Sequence, residues 1–318
     1  MIDFASRRCG PARGAPPRHA PATSRAQRSF RVAHLVVVSV AVLQATPSRL
    51  VAQDLAVRDS ASDPRPTGGQ DLLSRWPLIP IGATFVATMA IAPFDGSIQR
   101  ALQHPSLQSN ASLRGAADAM AYVGAQGPFL LGGTSFAVGR IFGVERLADL
   151  GLHVTEGAAL AAALGALGKG IAGRALPDAP PSDGPGDFSI GRGFHANSGR
   201  FVSFPAGHCA VSFATAAVLT SEAERWRPGL GWKVGTAAYG TATLVALARM
   251  YQNRHWASDN PFGVLIGTWS GLSVVRRQHR GPRTVLDRWL LGLRAAPTSQ
   301  GGFVLSWSPP DARADATR

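Results

Sequence analysis

Most of the residues able to do acid–base or anion chemistry stand in three short clusters. Gly168-Lys169-Gly170-Ile171-Ala172-Gly173-Arg174-Ala175-Leu176-Pro177 closes one apolar stretch, and Ser203-Phe204-Pro205-Ala206-Gly207-His208 opens the next. The third cluster, Arg249-Met250-Tyr251-Gln252-Asn253-Arg254-His255-Trp256-Ala257-Ser258-Asp259-Asn260-Pro261, joins the last two stretches. Together they hold what transfer of an oxyanion group requires. Lys169 and Arg249 supply positive charge, and a guanidinium can grip two oxygens at once. Pro205 at the first turn of its helix would leave the N–H groups of Ala206, Gly207 and His208 as donors at a positive helix end, with Gly207 admitting close approach of an anion. Two histidines, His208 and His255, allow one nucleophile and one general acid. Asp259 lies four residues beyond His255, within helical reach of the ring, where it could fix the tautomer.

The elements that must carry these clusters read as helices. Apolar stretches of helix length run over about 77–93, 124–142, 147–168, 205–220, 231–250 and 261–275, parted by polar or Pro/Gly breaks. The segment 96–122 predicts one or two short amphipathic helices. Strand-like alternation is confined to residues 302–307. The expectation is an all-α fold, a helical bundle of about six core helices. In an up-down bundle the ends of the third and fifth helices and the starts of the fourth and sixth share one side, so the clusters converge there. The Gly/Ala-rich run from Ala158 to Gly168 predicts close helix packing. A long loop covers 177–204. The domain reading is a leader over 1–53, a flexible linker over 54–75, the helical domain over 76–276 and a basic tail over 277–318.

Charge and cysteine use narrow the function classes. The 318 residues carry a formal net charge of +13. Residues 1–53 contribute eight arginines against Asp3, a net of 8 − 1 = +7, and the remainder contributes 24 − 18 = +6. A spread of +6 without a Lys/Arg tract does not point to nucleic acid and suits an anionic substrate. The apolar run from Ala33 to Leu43, after a basic flank and before a plausible cut near Val51-Ala52-Gln53, reads as a secretory signal. The expected location is therefore outside the cytoplasm, in the periplasm or on a membrane with the site facing outward. Cys9 lies in the leader and Cys209 stands alone in the body, so one mature chain can build no disulfide framework and no Cys-based zinc site.

The clusters, in this order, resemble the three signatures of the type 2 phosphatidic acid phosphatase and vanadium-dependent haloperoxidase superfamily, K-x6-R-P, P-S-G-H and S-R-x5-H-x3-D. Arg249, His255 and Asp259 match the third, with Trp256 and Ser258 fitting its common H-W-x-S-D form. Pro205, Gly207 and His208 match the second. The resemblance covers roughly 76–276. It implies that His255 attacks phosphorus to form a phosphohistidine, that Asp259 orients the imidazole, and that His208 protonates the leaving alcohol. It further implies that Lys169, Arg249 and the Gly207 amide hold the equatorial oxygens. No metal and no cofactor is implied for a phosphatase, whose substrate would be a phosphorylated lipid, an isoprenoid pyrophosphate or a small phosphomonoester. A haloperoxidase would bind vanadate in the same pocket, and a non-catalytic relative would bind an anion or lipid without turnover.

Three positions depart from those signatures. Leu176 stands where the arginine of the first is expected, with Arg174 two residues earlier as a candidate phosphate ligand and Arg200 as another. Ala206 and Ala248 replace the serines of the second and third. A donor lost to a transition-state oxyanion costs about 2.7–4 kcal/mol, which predicts a weakened enzyme. His34, His104, His153, His195 and His279 read as structural, as do Asp95 and Glu156. Six spanning helices conflict with a cleaved signal in placing the site outside, so association with a membrane is expected without a fixed topology. The sequence does not specify an oligomeric state.

Overall fold

The structure, a computed structural model, describes residues 78–179, 184–195, 198–280, 290, 292–297 and 303–307. The leader, its cut and the linker to residue 75 lie outside the described residues. Helix α1 (Leu78–Ile91) runs through a 3-10 turn (Ala92–Phe94) into α2 (Asp95–Leu102), then α3 (Pro105–Gln108) and α4 (Ala111–Ala125) follow. The bundle continues with α5 (Gly127–Ile141), α6 (Glu145–Ala172), α7 (Gly207–Trp226), α8 (Gly231–Tyr251) and α9 (Asn260–Arg280). The fold is all-α, as the periodicity predicts.

Helix α7 is the axis of the molecule. Its residues are buried on nearly every side, from Cys209 through Ala223, which marks a helix enclosed by others. Helices α6, α8 and α9 pack around it. The core is made largely of alanine: Ala158 and Ala161 of α6 meet Ala210, Val211 and Ala214 of α7. On the other side, α9 lays Gly263, Gly267 and Gly271 against the α7 backbone. A Cβ on Gly267 would stand 2.2 Å from the Ala210 carbonyl oxygen and one on Gly271 2.4 Å from that of Ala214. Small side chains let the axes approach, and van der Waals contact of backbone on backbone replaces large-side-chain interdigitation. Helices α4 and α1 cover α8 and α9, and α5 lies along α6.

Two differences from the sequence reading have physical causes. Helix α9 runs on through the basic residues expected to begin a loose tail. Arg277, His279 and Arg280 occupy its last turn, where positive charge is favourable at the helix C-terminus. Beyond it, β1 (Leu293–Pro297) pairs antiparallel with β2 (Phe303–Trp307), Leu293 opposite Trp307, so the alternating run found its partner within the tail. Among the described residues, two helical segments are long and apolar enough to cross a membrane, Pro80–Leu102 and Glu145–Ala172. Half of the apolar window in Glu145–Ala172 is buried inside the bundle, against 17% for Pro80–Leu102. The longer one is therefore the more enclosed of the two.

Candidate active site

The C-terminal ends of α6 and α8 and the N-terminal ends of α7 and α9 meet at one end of the bundle. Helix α6 stops at Gly173, whose φ of +52° is the left-handed cap that glycine takes readily, with its N–H bonded to the Lys169 carbonyl. This turn leaves Lys169 in the last turn of α6, facing the start of α7. A Cβ on Gly207 would stand 3.1 Å from Lys169 Cε, so the glycine makes room for the lysine stem to cross. Lys169 Nζ donates to the Val202 carbonyl at 2.7 Å.

The start of α7 differs in register from the sequence expectation. Pro205, joined to Phe204 by a cis peptide, precedes the helix, and Ala206 is the N-cap. The Ala206 N–H donates to the Asp259 carbonyl at 3.2 Å, and the first intrahelical bond runs from Ala210 N–H to the Ala206 carbonyl. The amides preceding that bond are those of Gly207, His208 and Cys209, one residue further on than expected. Ala206 offers no side-chain cap.

His255 is buried, and its Nδ1 donates to the Ser203 carbonyl at 2.7 Å. The carboxylate of Asp259 lies 3.6 Å from the same nitrogen. The backbone carbonyl therefore takes the proton, and Asp259 acts on the ring as a neighbouring charge, where the spacing had suggested a direct bond. Fixing the proton on Nδ1 leaves Nε2 with the lone pair. Burial pushes the His255 pKa down, the contact with Asp259 opposes this, and the charge of Lys169 adds to the lowering. The ring is held neutral, the form a nucleophile needs.

Asp259 is tied on both oxygens. Oδ1 accepts from Arg174 at 2.5 Å, and Oδ2 accepts from the Ser203 hydroxyl at 2.6 Å and the Trp256 N–H at 2.8 Å. Burial alone would raise its pKa, but His255, Arg174 and Ser203 outweigh it and hold the carboxyl below the ordinary value. Arg174 also donates to Ser258 Oγ at 2.8 Å, to Asp95 Oδ2 at 2.8 Å and, from Nε and Nη2, to the Pro185 carbonyl. Both terminal nitrogens and Nε are committed within the protein, and the side chain is 2% exposed. The geometry thus corrects the expectation of Arg174 as a phosphate ligand: it is the buried cation between two carboxylates. Leu176 is buried and apolar where a second arginine was expected, and its N–H bonds the carbonyl of exposed Arg200.

His208 and Arg249 complete the convergence. The His208 pKa is lowered to about 3, first by burial and then by the charges of Arg249, His255 and Lys169. Lys169 is lowered to about 8 by burial, with Asp259 opposing and Arg249 adding. These couplings join residues from α6, α7, α8 and the turn before α9. Arg249 donates Nη1 to Gln252 Oε1 at 2.5 Å, and Gln252 donates in turn to Asp118 of α4 at 2.7 Å. The Arg249 Nε is buried without a hydrogen-bond partner, a donor left for an anion. Ala248 is buried. The sequence reading assigned no function to Ser203, Ser258, Asp95, Gln252 or Asp118. Asp95 carried one signal, an acid beside an apolar stretch. Its Oδ1 and Oδ2 accept from the Ser258 N–H and hydroxyl. Burial, offset by these bonds and Arg174, still raises its pKa.

This arrangement can hold a tetrahedral anion among Lys169, Arg249 and three helix amides, present a neutral imidazole to it, and place a second imidazole nearby. A family model described as the PAP2 superfamily matches residues 150–282. Lipid A 1-phosphatase of Porphyromonas gingivalis is 34% identical over 86 residues, 27% of this chain and 18% of that protein. The chain thus spans less than a fifth of that relative's length. The crystal structure of a transmembrane PAP2 type phosphatidylglycerolphosphate phosphatase from Bacillus subtilis is similar at a TM-score of 0.37 and 18% identity, over 64% of this chain and 98% of that one. The matched stretch begins within α6 and ends just past α9, so it takes in all three clusters, and over that stretch the chain is similar to the PAP2 superfamily.

Proposed function

We propose that the protein is a phosphatase that hydrolyses phosphorylated lipids, isoprenoid pyrophosphates or related phosphomonoesters through a phosphohistidine intermediate. The observation that carries the reading is the Nδ1 to Ser203 carbonyl bond of His255, which aims a neutral Nε2 away from the backbone in a site lined by Lys169, Arg249 and His208. The Porphyromonas gingivalis relative, a lipid A 1-phosphatase, supports a phosphorylated lipid as substrate. The exposed apolar side chains of α1 support membrane association.

In the first step the Nε2 lone pair of His255 forms a bond to phosphorus as the P–O bond to the alcohol breaks, and His208 gives its proton to the departing oxygen. In the second step water attacks phosphorus, its proton passes to His208, and the N–P bond breaks to return neutral His255. Lys169, Arg249 and the amides of Gly207 and His208 stabilise the charge on the transferred group throughout. Asp259 stabilises the charge that His255 gains when it is phosphorylated. His208 has little proton affinity in the free site. A bound phosphate dianion offsets the charges of Lys169 and Arg249, which raises that affinity, so the acid is charged in the complex. No step is assigned to a metal or an organic cofactor, since these side chains and amides already supply the positive charge.

The test is phosphate release from a panel of phosphatidic acid, isoprenoid pyrophosphate and p-nitrophenyl phosphate, together with acid quenching to trap phosphoprotein. An acid-labile, base-stable phosphoprotein that forms in the native chain and is lost with phosphate release in His255→Ala is the expected result. Turnover without such a species, or turnover that survives in His255→Ala, overturns the reading.

A further inference from the structure

A second polar cluster lies at the opposite end of the same helices. Glu222 of α7 accepts on one oxygen, Oε1, from His153 Nδ1 of α6 at 2.9 Å and from His279 Nε2 of α9 at 2.8 Å. The two rings meet edge to face with centroids 5.4 Å apart. His153 and Glu222 are buried, while the His279 side chain is 31% exposed. Beside them Gln278 donates to Glu156 at 2.8 Å, holding the last turns of α9 on α6. Lys169 and His208 stand about 20 Å away along the helix axes, at roughly 1.5 Å per residue. The proposed phosphatase mechanism uses none of these groups.

We propose that His153, Glu222 and His279 form a binding site for one divalent transition-metal ion of the zinc class, remote from the phosphate site. The three ligand atoms all lie within 4.8 Å of one another. Tetrahedral zinc with bonds of about 2.0–2.1 Å needs ligand atoms about 3.3 Å apart. The separations from Glu222 Oε1 to the two rings, 2.9 and 2.8 Å, fall just below that value and the ring-to-ring separation is within 4.8 Å, so modest side-chain shifts admit an ion between them. Each ring's proton moves to its other nitrogen or leaves to solvent, and the ion takes the place of the two N–H groups. Two imidazoles and one carboxylate suit zinc and its first-row neighbours, whereas magnesium and calcium favour all-oxygen sets. The exposed edge at His279 leaves the fourth position to water. Three ligands from three helices would clamp α6, α7 and α9 together where no covalent link does so.

The experiment uses the full chain in detergent, stripped with EDTA and then dialysed against Zn²⁺, with bound metal measured by atomic absorption and Co²⁺ absorption as a spectroscopic probe. One tightly held equivalent is expected in the native chain and in the His208→Ala/His255→Ala double variant. It should be lost in Glu222→Gln and in His279→Gln, the second altering a partly exposed side chain that the fold tolerates more readily. The melting temperature should rise with Zn²⁺ in the native chain and return with EDTA. A native chain that holds no equivalent overturns the proposal. So does an equivalent that survives in His279→Gln, or one that disappears with His208 and His255. These outcomes stand apart from phosphatase activity, so failure of one reading leaves the other measurable.

Discussion

Arg174 shows how a single side chain can be read two ways until its partners are known. Its place two residues before the expected arginine suggested a phosphate ligand, but Asp95, Ser258, Asp259 and the Pro185 carbonyl take its donors. Removing the cation leaves two buried carboxylates without compensation, a change that costs about 3–5 kcal/mol. Arg174→Ala should therefore lower the melting temperature strongly, and adding Asp95→Asn should recover part of the loss. A folded Arg174→Ala with an unchanged melting temperature and a raised KM would restore the phosphate-ligand role. Lys169 leads to a pH prediction. Its pKa sits below the ordinary lysine value, at about 8, so the site loses a positive charge as pH rises through that value. The kcat/KM for a phosphomonoester should fall on the alkaline side of about pH 8. Lys169→Arg, whose charge persists, should move that limb upward, and an alkaline limb that Lys169→Arg leaves in place would clear Lys169 of it. At this scale the convergence of His208, Arg249, His255 and Asp259 was legible because residue type and spacing together are restrictive. The Ser203 carbonyl that orients His255 was not, since any residue has a carbonyl and only the fold decides which one points at a ring.

Helix ends, and the packing that fixes them, do the positioning. Four ends meet because α6 and α8 run toward the site and α7 and α9 run away from it. Their register depends on the glycine contacts between α7 and α9. A methyl group at Gly267 would overlap the Ala210 carbonyl, backbone that cannot swing aside. Overpacking of this kind costs about 1–3 kcal/mol, and here it also pushes α9, with Asp259 just before its first turn, away from α7. Gly267→Ala should lower both the melting temperature and kcat, while Gly240→Ala, which meets nothing within 4 Å, should change neither. Equal effects of the two substitutions would remove the packing argument. The six apolar stretches were readable as helices because length and breaks are local properties. The start of α7 at Gly207 instead of Pro205 was not, because the Ala206 N–H is drawn to the Asp259 carbonyl, a contact between segments far apart in sequence. The extension of α9 to Arg280 is hidden in the sequence because a run of basic residues resembles a boundary, although a helix C-terminus welcomes them.

On the scale of the whole molecule, large apolar side chains are exposed on several elements, among them α1, α4, α5 and the loop after α6. Phe85, Val86 and Met89 face outward from α1, the helix whose apolar window is the less buried of the two candidates. The loop after α6 presents Phe188, Ile190 and Phe194, with Ile190 91% exposed. That loop is seated on the active-site end: the Gly191 N–H bonds the Ile171 carbonyl, and the Phe194 ring lies against Gly170, next to Lys169. Apolar side chains left in water beside an anion site suit a substrate with a charged head and an apolar tail, or the bilayer that holds it. Burying one such side chain contributes about 1.5–3 kcal/mol, enough to change the apparent KM on a membrane by roughly tenfold or more for each residue engaged. Replacing Ile190 with Asp and Phe194 with Ser should therefore raise the apparent KM for phosphatidic acid in vesicles by at least that factor. The same variant should hydrolyse water-soluble p-nitrophenyl phosphate at the native rate, because neither side chain belongs to the phosphate-holding or proton-transfer machinery. A parallel loss on both substrates would mean that the loop supports the fold of the site. An unchanged KM on vesicles would mean that the lipid approaches by another face, leaving α1 as the surface to alter next.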